Sequence, residues 1–419
     1  MGKGAVSRES LVRRRQERDD RREHATAPGS GQSGDVTTEP RLVAEQAGAI
    51  ASAWSPPGAP ASWRLTAAQF QALRDDPELQ ALAATIAPDR LPPLLFQAAV
   101  TSLVLSLEPD GLRDSFPRLG QPQPPLSPRF VAEYRAFCLE HSDRVLELCA
   151  RHRYQMNEVG RCADFVPSLT PAANDQREVV VIDIGTGAGL ALRFDHYRYA
   201  FRAPGGQAVA VGAEDSRVSI DVELRGELSP TLPRRLPPVV DRVGIDTEPV
   251  DLSDPPVRDW LAACVPQEIG AITRFHEAAR VTLANPARTV RGDATELLLE
   301  ILDKVPEGPL LYLVDTYVGV FFAPGKLERF RAMVEAVGRQ RDLDWISTDP
   351  LIPLGPSATA TVTGVPVPPA LLERNRQGGV FGAVTELSYR GGQRTGALLG
   401  VAHPSAVWLE WLDPATAPS

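Results

Sequence analysis

The segment best equipped for chemistry is Val181-Ile182-Asp183-Ile184-Gly185-Thr186-Gly187-Ala188-Gly189-Leu190. An apolar run ends in an acid and passes into Gly-x-Gly-x-Gly. Glycines at that place let the backbone turn tightly and let a ligand approach without meeting a Cβ. A dinucleotide site needs G-x-G-x-x-G/A, and the sixth position here is Leu190, so that pattern fails. No Gly-Lys-Ser/Thr follows, so a P-loop fails as well. Asp183 stands two residues before the first glycine, where it would repel a pyrophosphate. The same carboxylate suits a ligand with a cationic group and neutral hydroxyls. S-adenosylmethionine (SAM) has both and no phosphate. Asp183, Gly185, Gly187 and Gly189 therefore form a candidate cofactor loop, expected to open a helix.

Three other groups have useful chemistry. Asn157, Glu158 and Arg161 lie on a polar stretch just before the glycine segment. An amide, a carboxylate and a guanidinium could converge there and grip an amino-acid-like substrate. The plainer alternative is a Glu158–Arg161 surface pair three residues apart. Asp195, Tyr197 and Tyr199 follow the expected first sheet helix. Tyrosine hydroxyls can position a nucleophile and Asp195 can accept its proton, although half-buried tyrosines at a helix end explain them equally well. Asp315 and Tyr317 end an apolar run, where open parallel sheets bind ligands. Asp315 is the best candidate for contact with the reacting group. The bland alternative for it is capping the next loop. Cys162 has no evident partner base and reads as packing. The expected catalytic set is Glu158, Tyr197 and Asp315; Asn157, Arg161, Asp195, Tyr199 and Tyr317 are expected to bind substrate.

These residues need a scaffold. Val179-Val180-Val181-Ile182 has no alternation, as in a strand buried on both faces of a parallel sheet. Similar runs are Thr289-Val290-Arg291, Leu310 to Val314, and Leu343 to Ile346. Lys326 to Gln340 reads as a crossover helix with Leu327, Phe330, Val334 and Val337 on one face. The succession implies an α/β fold with a doubly wound, mostly parallel sheet. Val380–Tyr389 and Thr395–Ala402 flank Gly391-Gly392 and read as a C-terminal antiparallel hairpin. Residues 38–170 read as an all-helical region, with helices over Thr66–Ala72, Leu91–Leu107 and Pro128–His152. The α/β domain then runs over 171–419, with insertions near 200–285 and 350–378. Residues 1–37 are charged, then Gly/Ser-rich, and read as a disordered tail.

The chain has 419 residues and a formal net charge of -9. That balance disfavours a nucleic-acid binder. Four scattered cysteines (Cys138, Cys149, Cys162, Cys264) suit a reduced, cytoplasmic protein. No signal core or membrane span is expected, and the six histidines show no zinc-ligand spacing.

The glycine segment, the strand order and the final hairpin together resemble the class I SAM-dependent methyltransferases, whose core is Rossmann-like. The resemblance implies that Asp183, Gly185, Gly187 and Gly189 are their first motif and that Asp293 in Gly292-Asp293-Ala294 faces the adenine. It also calls for an acid on the second strand to bind the ribose. Glu223 and Asp246 compete for that place, and Glu223 is favoured because it lies nearer in sequence and follows alternating apolar residues.

A second resemblance covers residues 65–412, to an actinobacterial domain-of-unknown-function family numbered twenty-three thirty-two. It rests on Asn157-Glu158-Val159-Gly160-Arg161-Cys162, Phe194-Asp195-His196-Tyr197-Arg198-Tyr199, Glu223-Leu224-Arg225-Gly226, and Arg242 to Asp246 with Pro249-Val250-Asp251. The family implies no reaction. Its usual glycine segment is E-x-G-x-S-x-G, whereas this chain has Asp183 and Gly187 at the acid and serine positions. Other departures are Val265-Pro266 in place of a Trp-Pro pair and Asp315-Thr316-Tyr317 after the fourth strand; these suggest a specialised pocket.

The expected function is small-molecule tailoring by in-line displacement, first as SAM-dependent methyl transfer, with no metal. Two alternatives stand beside it: a SAM-independent intramolecular substitution that closes a small ring in natural-product biosynthesis, and a non-catalytic subunit that binds a second protein.

Overall fold

The computed structural model describes residues 38–56, 59–351, 361–377, 379 and 381–412. The charged tail and part of the 350–378 insertion lie outside them. The chain is mixed α/β, with a largely parallel central sheet preceded by a helical region.

The strands are β1 Val179–Ile184, β2 Arg198–Arg202, β3 Ala208–Gly212, β4 Ser219–Arg225, β5 Val239–Asp246, β6 Arg288–Arg291, β7 Leu310–Thr316, β8 Leu343–Pro350, β9 Thr361–Val362, β10 Val365–Pro366, β11 Gly382–Arg390, β12 Gln393–Ala402 and β13 Trp408–Trp411. All but β9 and β10, which pair with each other, form one 11-stranded sheet in the order β3-β2-β4-β13-β12-β11-β8-β7-β1-β5-β6. The segment from β6 to β8 is parallel.

Strand β1 shows why a run without alternation belongs there. Val179 and Val181 enter one core cluster while Val180, Ile182 and Ile184 enter the other. The first cluster also holds Tyr312 of β7, Phe201 of β2, Val222 of β4, and Leu73, Phe96 and Tyr134 of the helical region. Distant parts of the sheet thus face one core, which a sheet this wide reaches by curling.

The hairpin of β11 and β12 turns at Gly391–Gly392 as expected, but the sheet continues beyond it through β13, β4, β2 and β3. The expected helix after the glycines is only a 3-10 turn, Ala191–His196, from which the chain enters β2. The strand beside β1 is therefore β5, which starts after β2, β3 and β4.

Helices Pro40–Ala53, Arg64–Asp75 and Pro92–Leu107 contribute to the cavity described below. The expected Pro128–His152 helix is two helices, Phe130–Glu140 and Ser142–Arg151, that meet at His141. Among the described residues no helix is long and apolar enough to cross a membrane. The four cysteines are free and buried.

Candidate functional site

The glycine loop is a closed hydrogen-bonded unit. Gly185, Gly187 and Gly189 have φ of 72°, 53° and 72°, the left-handed region that glycine enters without Cβ strain. The amides of Gly185 and Thr186 donate to Ile245 O at 2.8 and 3.2 Å, and that of Gly189 donates to Thr186 O at 2.8 Å. Gly187 N donates to Asp246 Oδ2 at 2.8 Å and Ala188 N to Asn157 Oδ1 at 3.0 Å. A Cβ on Gly185 would lie 2.3 Å from Val318 Cγ2, and one on Gly187 would lie 2.7 Å from Asn157 Oδ1. Val318 and Asn157 therefore occupy the Cβ positions of Gly185 and Gly187, while Gly185 itself stays exposed.

Asp183 is 5% exposed and accepts from Thr186 Oγ1 at 2.6 Å. Thr186 fits there because the strand beside it carries Gly244, where a Cβ would come within 2.5 Å of Thr186 Cγ2. Burial pushes the Asp183 carboxyl up to about 7, helped by the negative charges of Asp246 and Asp315 and opposed by the Thr186 hydroxyl.

A cavity of about 780 Å³ opens beside the loop. Its floor is the carboxyl ends of the parallel strands, through Ile184, Ile245, Asp246, Gly292 and Tyr317, which is where open α/β sheets take ligands. Its roof is helical, with Ile50, Gln69, Phe70, Leu94, Gln97 and Thr101, and the Tyr154–Asn157 segment forms one side. Gln97 Nε2 donates to Gln69 O at 2.7 Å, and Tyr134 Oη donates to Gln97 Oε1, so the roof's amides are held in place.

Six expected site residues line this cavity: Asn157, Arg161, Gly185, Gly187, Asp293 and Tyr317. Tyr317 has φ 62°, strained for an aromatic residue. Its amide donates to Thr348 O at 2.6 Å, and the Arg161 guanidinium lies 4.0 Å from its ring centroid. Asp293 caps the next helix through Thr295 N at 2.8 Å and pairs with Lys326 at 2.6 Å. Asp246 and Lys326 complete the polar wall. The signal available for Lys326 was rarity, since it is one of three lysines in the chain.

The other expected residues lie elsewhere. Asp183 and Gly189 are off the cavity wall. Glu158 points away: its Oε1 accepts from Gly160 N at 2.9 Å and pairs with Arg274 at 3.2 Å, so its partner is not Arg161. Asp195 is spent on a fork to Arg242 at 2.7 and 3.1 Å. Tyr197 and Tyr199 are fully buried and donate to Leu190 O and Phe194 O. Glu223 sits on β4, half the sheet away from β1, beside Arg225 at 3.1 Å. The acid ending the strand next to β1 is Asp246, whose carboxylate accepts from Gly187 N and Glu248 N, each at 2.8 Å.

Asp315 borders a separate space of about 30 Å³ and accepts from Trp345 Nε1 at 2.6 Å and Ser347 Oγ at 2.7 Å. Burial raises it to about 6. Burial also raises its neighbour Asp349 well above the carboxylate range, and the charge of Asp315 adds to that rise. Asp349 accepts from the Gly319 and Val320 amides, and Asp315 lines this smaller space instead of the larger cavity.

Gly185 and Gly187 line the cavity, with Val318 and Asn157 at the positions their Cβ atoms would take, whereas Asp183 does not line it. The acids at the ends of β5 and β6 do reach it.

Fold and cavity define a mixed α/β protein with an open cavity at the carboxyl ends of a largely parallel sheet. The chain matches the family of uncharacterized proteins conserved in bacteria, DUF2332, over residues 58–411, and it belongs to that family. No curated protein matches it.

Proposed function

We propose that the chain is a small-molecule enzyme that carries out an in-line displacement within the cavity, in the form that needs no SAM: an amine of the substrate attacks a carbon bearing a leaving group and closes a small ring. The observation that carries the reading is the cavity of about 780 Å³, large enough to enclose a metabolite. Support for the cofactor-free form comes from the glycine loop, whose amides all donate within the protein. In the step, the nitrogen–carbon bond forms as the bond to the leaving group breaks and that group departs with the electron pair. The proton released from nitrogen passes to a carboxylate, and Asp246 is the one on the wall beside the loop. Held geometry supplies most of the acceleration in such a reaction.

A second reading keeps SAM-dependent methyl transfer. Asp246 and Asp293 favour it, since they end the neighbouring strands β5 and β6 on one wall. Calorimetric titration of the full chain with SAM separates the two. The first reading expects neither heat nor thermal shift at millimolar SAM; saturable binding overturns it in favour of the second.

A further inference from the structure

We propose that the molecule held in the cavity carries a carboxylate and that Arg161 is its anchor. This rests on the small-molecule reading of the cavity and names the chemistry of what the cavity holds. Arg161 is 9% exposed and lines the cavity. Its Nε donates to Pro404 O at 2.9 Å, and the face of its guanidinium lies over the Tyr317 ring. Those contacts fix one edge and one face. Among the described residues its terminal nitrogens, Nη1 and Nη2, have no hydrogen-bond acceptor and no ion-pair partner.

No nearby acid among the described residues forms an ion pair with it. Asp164 is 1% exposed; burial raises its carboxyl, and the charge of Arg161 opposes that rise without a direct ion pair between the two. Glu158 is engaged by Arg274 and Gly160 N. A guanidinium cannot shed its proton, so burying one without a counter-charge is costly unless a ligand supplies that charge.

The geometry selects a carboxylate over a phosphate. One planar fork matches one planar carboxylate in a bidentate contact. A phosphate dianion would need a second cation or a nest of free amides. The amides from Gly185 to Gly189 all donate within the protein. Lys326 is paired with Asp293, Arg153 with Glu248, and Arg90 is spent on the Ala150 and His152 carbonyls. Asp89, Asp246, Glu248 and Asp293 balance the four cations of the wall formally, and Arg161 is the buried cation among them that has no carboxylate partner. Phe70 and Leu94 of the roof and Ile184 of the floor favour an apolar body behind the acid.

The test is calorimetric titration of the full chain with 2-naphthoate, decanoate and N-acetylphenylalaninate, each against its neutral primary amide. At least one acid should bind about tenfold more tightly than its amide, the order expected of a charge-assisted contact. Arg161→Met should abolish that preference while leaving amide affinity within about twofold, and Arg161→Lys should retain part of it. Equal affinity of every acid and its amide for the native chain overturns the carboxylate assignment and leaves the cavity reading standing. A preference that survives in Arg161→Met overturns Arg161 as the anchor. Absence of saturable binding by any probe at millimolar concentration overturns both readings. The acid–amide comparison on the native chain decides the assignment even where Arg161→Met fails to fold.

Discussion

Gly187 N and Asp246 Oδ2 lie 2.8 Å apart, joining the loop after β1 to the end of the strand beside it. The other oxygen of Asp246 accepts from Glu248 N, so one carboxylate holds two turns. Asp246→Ala leaves the part-buried Gly187 amide and the exposed Glu248 amide without their acceptor and should cost about 1–3 kcal/mol. Amide hydrogen exchange of peptides spanning 185–190 and 246–250 should accelerate together. Exchange that changes in neither segment would show that the carboxylate does not tie them. Asp246→Asn keeps an acceptor oxygen and should lie between the native chain and Asp246→Ala in thermal unfolding.

Gly185 should tolerate no side chain, for two separable reasons. Its φ of 72° costs an L-residue about 1 kcal/mol. A Cβ there also meets Val318 Cγ2 at 2.3 Å, an overpacking worth about 1–3 kcal/mol. Gly185→Ala should therefore lower stability by about 2–4 kcal/mol in urea unfolding. Combining it with Val318→Ala should recover the overpacking and leave the backbone cost. A double-mutant cycle that gives simple additivity would place Val318 elsewhere.

The parts legible in the sequence were those with local causes. Residues 179–184 showed themselves as a strand because burial on both faces removes alternation, and Gly391-Gly392 marked its hairpin through turn chemistry. The second-strand acid was not legible. Residues 218–223 do alternate, and β4 is a strand with alternating burial. Periodicity says nothing about which strand sits beside which, and β2, β3 and β4 belong to the far part of the sheet. The partner of Glu158 was not legible for a similar reason, because Arg274 comes from a helix remote in sequence. Arg161 and Tyr317 were found separately, and the cation–π contact joining them needed the fold.

The buried pair Asp315 and Asp349 predicts an unusual pH dependence. Asp315 is raised to about 6 by burial, so the folded chain keeps a proton that the unfolded chain releases near pH 4. The resulting stabilisation is complete below that lower value and is lost as pH rises through about 6. Asp183, raised to about 7, acts in the same direction. The stability difference between the native chain and Asp315→Asn, read from urea midpoints, should therefore fall between pH 4.5 and 7.5 by about 3 kcal/mol or less. Asp315→Asn keeps an oxygen for Trp345 Nε1 and has no proton to lose, so it should flatten the slope. Parallel pH profiles of the native chain and Asp315→Asn would contradict the assignment.

Asp195 and Tyr197 give the sharpest contrast with the residues on the cavity wall. The Asp195 carboxylate makes a fork with Arg242, and their side chains are 20% and 15% exposed. Asp195→Asn removes the charge from that fork and should cost about 1–3 kcal/mol, below the loss for a fully buried pair because solvent screens part of it. Tyr197→Phe deprives Leu190 O of its donor at 2.7 Å and should cost about 1–2 kcal/mol. Neither side chain lines the cavity, so both variants should bind whichever carboxylate probe the native chain prefers within about twofold of native affinity. Urea unfolding and probe titration on the same preparations read the two effects separately. Lost binding at native stability would return Asp195 or Tyr197 to the substrate site, and lost stability at native binding would establish them as supports of the β1–β2 connection.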